Sequence, residues 1–393
     1  MTDLSNNVSA RVAALFACHF FGFGLFLPFF PLVLEFRGVS AAEIGFILGA
    51  GTIARIAASP LLSNIADRTD QRRLSILIYS IIGAGFISLF YLPGGLILAG
   101  TAMIGYMVIK APILPLSDAY ALDTARNTGA DYARMRLWGS VGFVLANLAG
   151  GALAAESSAW LIVTLTVAAS LATGFVVLSL PRQQKETGSK ETGGRPGESP
   201  FKQLWFWPVL ALLGLFQATH AAFYGFGTLY WRSIDVPDFT IGLLWAVGVV
   251  AEIALFTIAG KLSLRFDPPV FLLAAGIAAI VRWGLFPFAD SYLFMAALQV
   301  LHGLTFGAAH LGAVAILAKV VPPRWSGTGQ GLLTASIGIQ TAIGLAVSGA
   351  LFQFDPHLPF YLMAAAALAG SIALAFAAPV IRRRIRHPDT SSP

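Results

Sequence analysis

Apolar runs of about twenty residues recur along the whole chain, separated by short polar connections, and they constrain the fold before any motif is considered. At about 1.5 Å per helical residue, one such run crosses a hydrocarbon core about 30 Å thick. Inside that core only a helix or a closed barrel satisfies every backbone N–H and C=O, and runs this long and apolar predict helices. Segmentation by apolar run and breaker predicts six spans at 12–34, 41–65, 74–92, 96–122, 135–154 and 159–180. Six more follow at 204–230, 239–264, 270–288, 292–320, 325–352 and 359–381.

Between the two sets lies PRQQKETGSKETGGRPGESPFKQ, residues 181–203, with no apolar run and no helical periodicity. It reads as a linker. The predicted organisation is a six-helix bundle over 1–180, a cytoplasmic linker over 181–203, and a second six-helix bundle with a basic tail over 204–393. With 57% hydrophobic and 11% charged residues, the chain of 393 has too little polar material to cover a water-soluble globule. The 40 glycines supply small contacts for helix packing in lipid. The single cysteine, Cys18, cannot form an internal disulfide. The N-terminal MTDLSNNVSARVAALF lacks a basic n-region and predicts no cleaved signal peptide.

The net charge of +6 resides in short loops beside apolar runs, where membrane topology accounts for it without a nucleic-acid partner. One set of connections carries Arg68, Arg72, Arg73, Arg126, Arg134, Arg136, Lys261, Arg265, Lys319, Arg324 and the tail arginines, whereas the opposite set carries only Arg37 and Arg232. That asymmetry predicts both termini on the cytoplasmic side.

A shift of 197 lays Ile44 and Gly45 on Ile241 and Gly242, and Ala54, Ile56 and Ala57 on Ala251, Ile253 and Ala254. The same shift puts Arg55 on Glu252, and a shift of 198 lays Gly151, Ala152 and Leu153 on Gly349, Ala350 and Leu351. Two parallel six-helix repeats are the expected arrangement.

The loop SNIADRTDQRR from Ser63 to Arg73 is similar to the cytoplasmic loop motif of the major facilitator superfamily, matching it at Asp67, Arg68, Arg72 and Arg73. Ser63 and Gln71 replace its two glycines, and the second-half counterpart GKLSLRFDP is degraded. Within that superfamily the chain resembles the phenylpropionate permease branch, relatives of lactose permease. The residues concerned are LPFFPLVL at Leu27, PLSDAYAL at Pro115, RLWGSVGFVL at Arg136, RW at Arg282 and HGLTFGAAHLGA at His302. The resemblance implies an all-α membrane protein of twelve transmembrane helices in two pseudo-symmetric bundles, in a bacterial inner membrane. It also implies that the first and seventh helices line a cavity.

Charges inside spans are costly unless they face an interior or a partner, so each is a functional candidate. Arg55, Lys110, Glu252 and Arg282 sit well inside predicted spans, with Asp118 nearer one end. Three cations against one or two carboxylates predict an interior that attracts anions. Arg282 can hold a carboxylate bidentately, and the alternative is that it snorkels to interfacial water beside Trp283. Lys110 either joins it in holding substrate or is neutralised by Asp118. Arg55 is either one side of a gate or a structural ion-pair partner, and Asp67 and Arg68 are expected to bias the gating equilibrium.

For proton coupling, Glu252 is the first choice and Asp118 the second, since a carboxylate in a drying cavity gains proton affinity. Gln217, His220 and Tyr224 share one stripe of the seventh helix and are expected to face the cavity with its aromatics. His302 either relays a proton or binds another helix. His310, eight residues on, is expected to point about 80° away along a regular helix, too far to share a metal ion with it. No Walker, GxSxG, HExxH or Rossmann sequence occurs, so neither an enzyme nor a cofactor is expected. The predicted function is secondary transport by proton-coupled symport of a small organic anion such as an aromatic carboxylate. The partners are that substrate, protons and the lipid bilayer; the alternatives are a sugar or nucleoside symporter and a drug exporter.

Overall fold

The computed structural model describes residues 2–154, 159–182, 200–263 and 265–386. Residues 183–199 of the predicted linker, 387–393 of the tail and Leu264 at the predicted end of the eighth span lie outside the described residues. The rods in the first half are α1 Asn7–Phe36, α2 Ala41–Arg68, α3 Arg72–Tyr91, α4 Leu96–Thr128, α5 Tyr132–Leu153 and α6 Ala159–Leu178. Those in the second half are α7 Phe206–Ser233, α8 Asp238–Leu262, α9 Pro268–Phe288, α10 Tyr292–Val320, α11 Pro323–Phe354 and α12 Leu358–Ile385. Eleven of these are long and apolar enough to cross a membrane. The twelfth, α5, carries Arg136 and Asn147 within its apolar stretch.

Several rods outrun the predicted spans; α4 continues to Thr128 rather than ending at 122. Helical hydrogen bonding continues past the apolar stretch until a local signal stops it, and Gly129 supplies that signal with φ of 72° while its N–H bonds the Ala125 carbonyl. At the start of α2 the Ser40 side chain and Glu43 form a reciprocal cap. Large apolar side chains such as Ile97, Leu293 and Phe376 are at least 80% exposed, as expected of surfaces that face lipid rather than water.

Contacts divide the chain into two compact units, Met1–Ser189 with Tyr224–Ala246, and Lys190–Phe223 with Val247–Pro393. Within the first unit, Gly151 of α5 and Gly242 of α8 pack backbone on backbone. A Cβ on Gly151 would stand 2.7 Å from the Asp238 carbonyl and 2.9 Å from the Gly242 Cα. The second unit has an apolar core that includes Phe206, Leu213 and Phe216 of α7, Leu272 of α9, Ala313 and Ile316 of α10 and Leu374 of α12.

The internal repeat extends from sequence into packing. Where α1 crosses α5, a Cβ on Gly24 would lie 2.8 Å from the Ala146 Cβ; where α7 crosses α11, one on Gly344 would lie 2.7 Å from the Ala221 Cβ. Shifts of 197 and 198 carry Gly24 onto Ala221 and Ala146 onto Gly344, so the glycine changes helix while the close approach keeps its place. The α3–α6 pair repeats the pattern: Gly174 packs on Ser80 and Leu77, Gly276 packs on Ser371, and 174 shifted by 197 is 371. The α2–α4 contact of Gly51 with Met107 likewise corresponds within two residues to that of Gly248 with His302. In lipid, helices associate through packing rather than hydrophobic expulsion, and one small residue at each crossing lets two backbones approach.

These crossings are testable. A Cβ at Gly142 would press into the backbone carbonyl of Ala17, whereas one at Gly85 would meet nothing within 4 Å. Gly142→Ala is expected to destabilise the protein by about 1–3 kcal/mol, lowering Tm in detergent, while Gly85→Ala leaves Tm unchanged or raises it. Equal Tm values for the two variants would refute close packing of α1 on α5.

Candidate functional site

Among the described residues α4, α7 and α10 break regular helical geometry in their interiors, and each break carries polar side chains that the sequence singles out. In α4, Pro115 has no N–H for the Ala111 carbonyl, which accepts from Ser59 Oγ of α2 at 3.4 Å instead. The helix turns at Ala111 and Pro112, directly after Lys110. In α7, the segments Phe206–Ala218 and Ala221–Ser233 meet at Thr219 and His220. There the Thr219 hydroxyl donates to Phe216 O and the His220 ring to Gln217 O, competing with the backbone for carbonyls. The expected unbroken stripe Gln217–His220–Tyr224 is therefore interrupted. Gln217 and His220 are buried in the second unit, while Tyr224 belongs to the first and stacks on Trp245 with ring centroids 6.4 Å apart.

In α10, Gly303–Ala308 forms a π turn. Its i→i+5 bonds take up extra chain per turn, a feature frequent at functional sites. Phe306 consequently stacks on His302 at 5.4 Å with 17° between ring planes, and His310 on Phe306 at 6.3 Å with 3°. The expected divergence of His302 and His310 does not occur, because the wider turn cancels the angular drift of a regular α-helix.

The π turn faces Arg282 of α9, which is fully buried. Its Nη1 donates to His302 Nδ1 and to Thr305 Oγ1, both at 3.0 Å, and its Nη2 donates to Gln299 Oε1 at 2.8 Å. The guanidinium also lies 4.3 Å from the Trp283 ring centroid and 5.0 Å from that of Phe223. Snorkelling is thereby excluded; Trp283, the expected interfacial neighbour, is itself fully buried.

Donor chemistry assigns direction to this network. Arginine only donates, so neutral His302 accepts at Nδ1 and carries its proton on Nε2, which faces Glu252 Oε2 at 3.7 Å. A carbonyl only accepts, so His220 donates from Nδ1 to Gln217 O at 3.0 Å, and its Nε2 accepts from Thr305 Oγ1 at 3.0 Å. Four helices, α7 to α10, thus meet on one network in which Arg282 donates to both His302 and Thr305, Thr305 donates on to His220, and His302 faces Glu252. Gln299 and Thr305 complete it. Gln299 sits one helical turn before His302 in the sequence, the one signal that could have marked it.

In the first unit the Lys110 ammonium donates to Tyr106 OH at 2.7 Å. The alternative of a Lys110–Asp118 pair is corrected: Asp118 accepts from Tyr132 OH at 2.9 Å and lies 3.9 Å from Arg136 Nε. Eight residues separate Lys110 from Asp118, about 12 Å along a helix, and the α5 groups are nearer. Arg55 is exposed and forms no ion pair among the described residues, so a structural ion pair is not its role here.

At the loop, Asp67 bonds Arg72 at 2.8 Å, and Arg72 also bonds Asp123 of α4 at 2.8 Å. Arg73 donates to the last carbonyls of α6, at Val177 and Leu178, and Arg68 is exposed. The motif residues therefore tie α2, α3, α4 and α6 together at one end of the first unit.

Gln299→Leu would remove one acceptor from a buried guanidinium. The expected cost is about 1–3 kcal/mol, read as a lower Tm in detergent, with Gln299→Glu restoring an acceptor for Nη2. An unchanged Tm in Gln299→Leu would mean that this bond does not support the cluster.

A family model described as the MFS_1 like family matches residues 11–363. The chain is 30% identical over 369 residues to the probable 3-phenylpropionic acid transporter of Escherichia coli (strain K12), covering 92% of this chain and 96% of that protein. It is 27% identical over 324 residues to maltose permease of Geobacillus stearothermophilus, covering 80% of each. The solved structure of the nucleoside transporter NupG matches with a TM-score of 0.83 at 18% identity, over 94% of this chain and 98% of that one, a likeness of fold. The chain therefore belongs to the MFS_1 like family of the major facilitator superfamily: it is a multi-pass integral membrane protein and a secondary transporter, not an enzyme.

Proposed function

We propose that this transporter couples proton movement to uptake of a small organic anion, an aromatic carboxylate of the 3-phenylpropionate kind, across a bacterial inner membrane with both termini cytoplasmic. The observation that carries the reading is the position of His302, bonded to Arg282 through Nδ1 and facing Glu252 through Nε2. A substrate carboxylate is a stronger acceptor for the guanidinium than the neutral groups of His302, Thr305 and Gln299, because its hydrogen bonds are charge-assisted. Once displaced, His302 Nδ1 is free to take a proton while Nε2 delivers one to Glu252. The loaded site then holds one anion and one added proton. Trp283, Phe223 and Phe306, already packed on this cluster, offer apolar walls to an aryl group.

Asp118, held by Tyr132 and near Arg136, is the second candidate for the proton. Asp67, Arg68 and Arg55 are assigned to gating. Asp67→Ala frees one side of Arg72 and is expected to slow turnover while substrate still binds. Loss of binding in that variant would contradict the gating role. A neutral sugar or nucleoside is the competing reading, favoured by the flat wall of Tyr224 stacked on Trp245.

Arg282→Gln separates the two. For an organic-anion carrier, binding of labelled 3-phenylpropionate should fall by about 100-fold and that of 3-phenylpropanamide by less than about threefold, tenfold being 1.4 kcal/mol. Equal losses would make Arg282 structural and favour a neutral substrate. Glu252→Gln, a mimic of the protonated acid, is expected to exchange substrate in proteoliposomes yet lose accumulation driven by a proton gradient. Undiminished accumulation would move the proton to Asp118 or a histidine.

A further inference from the structure

The α7–α8 hairpin, Tyr224–Ala246, belongs to the first unit although it comes from the second half of the sequence. Arg232 and Asp238 close its tip with an ion pair of 3.3 Å, and the Arg232 guanidinium lies 5.0 Å from the Phe36 ring centroid at the end of α1. Lower in the hairpin, Trp245 Nε1 donates to Thr228 Oγ1 at 3.0 Å. One turn along α8 from Asp238, Gly242 meets α5. A Cβ on Gly242 would stand 3.0 Å from the Gly151 Cα and would press into the Asn147 backbone carbonyl.

Asn147 precedes Gly151 by one turn and so shares its face of α5. It is completely buried, and neither its Nδ2 nor its Oδ1 has a hydrogen-bond partner among the described residues. A primary amide brings both donors and an acceptor, and leaving all of them unmade away from water costs the desolvation of each atom. Packing alone does not call for an amide at this place. A shift of 198 lays Asn147 on Leu345 of α11, an apolar residue buried to 5% exposure, just as it lays Ala146 on Gly344 at the neighbouring crossing. The second half therefore makes the equivalent helix contact with a hydrocarbon side chain.

We infer that Asn147 is a release element for the contact between α5 and α8. Closing that contact strips water from the amide and gives it no partner, whereas parting the two helices lets water bond it again. A residue shifts a two-state equilibrium only by the difference between its energies in the two states, and an amide unpaired in one and hydrated in the other meets that condition. Packing of Gly242 on Gly151 holds the contact closed, and the stranded amide offsets part of that hold. A secondary transporter must pass between two arrangements, so a contact of this kind has to let go as well as form. The inference concerns movement and depends neither on the substrate nor on the role of Arg282.

The test reads opening directly. Ala246, one turn beyond Gly242 and 7% exposed, becomes the reporter as Ala246→Cys in a Cys18→Ser background, Cys18 being the only natural cysteine. The full-length protein in detergent is treated with N-ethylmaleimide and followed by intact mass. Asn147→Leu, similar in size but without polar atoms, should slow alkylation by about tenfold or more. Asn147→Asp, alike in shape but charged, should speed it by about tenfold or more, since a carboxylate is costlier to strand than an amide. A side chain that only fills space would give faster alkylation in both variants. Should Asn147→Leu fail to fold, Asn147→Ala serves instead, with slowing of about threefold or more. A second reporter, Ala313→Cys in the core of the second unit, should react at a rate that these substitutions leave unchanged. Four results would overturn the inference: an Ala246→Cys thiol that never reacts, one rate in all variants, alkylation no slower in the apolar variant than in the parent, or equal changes at Ala313→Cys, which would assign the effect to global unfolding.

Discussion

Inside a hydrocarbon layer no water is available to bond a stray backbone group, so each N–H and C=O must find its partner within the protein. Twelve rods of helix meet that demand, and the rest of the structure depends on how the exceptions are met. At Ala111 the carbonyl left by Pro115 is taken by Ser59; at His220 the imidazole takes the Gln217 carbonyl; at Gly303–Ala308 the ladder widens to a π turn. Lys110, His220 and His302 stand at or beside these three places. Breaks in the helices and the polar chemistry of the chain thus coincide, and at two of them a polar side chain, Ser59 or His220, takes the carbonyl that the helix leaves.

The second dependence is steric. Glycine and alanine trade places between the two halves at the α1–α5 and α7–α11 crossings, and Gly174 trades with Ser371 between α3–α6 and α9–α12. What the repeat preserves is a distance of approach rather than a residue. Such crossings leave little freedom for one helix to shift alone against its neighbour.

Charge is distributed differently in the two units. Around Arg282 the cation is bonded to Gln299, His302 and Thr305, with Glu252 one imidazole away. Around Lys110 it is held by a phenol and aromatic faces. In the first arrangement a single imidazole stands between the cation and a carboxylate.

Hydropathy is a sum over neighbouring residues, and for that reason the sequence alone determined the membrane class, the twelve rods with ends displaced by up to about six residues, the repeat period near 197 and Arg282 as a charge inside a span. Glycine content and the SNIADRTDQRR loop were equally legible. Partners were not, since a hydrogen bond across helices depends on the depth and rotation at which two rods cross. Nothing in the order of residues sets Asp118 against Tyr132 rather than Lys110, buries Arg282 instead of letting it reach the interface, or leaves Arg55 without an ion pair among the described residues. The π turn is the sharpest case. A count of 100° per residue set His302 and His310 apart, and only the tertiary packing of Gly303 on Ala251 and of Gly307 on Leu255, with the widened turn between them, brought their rings into one stack.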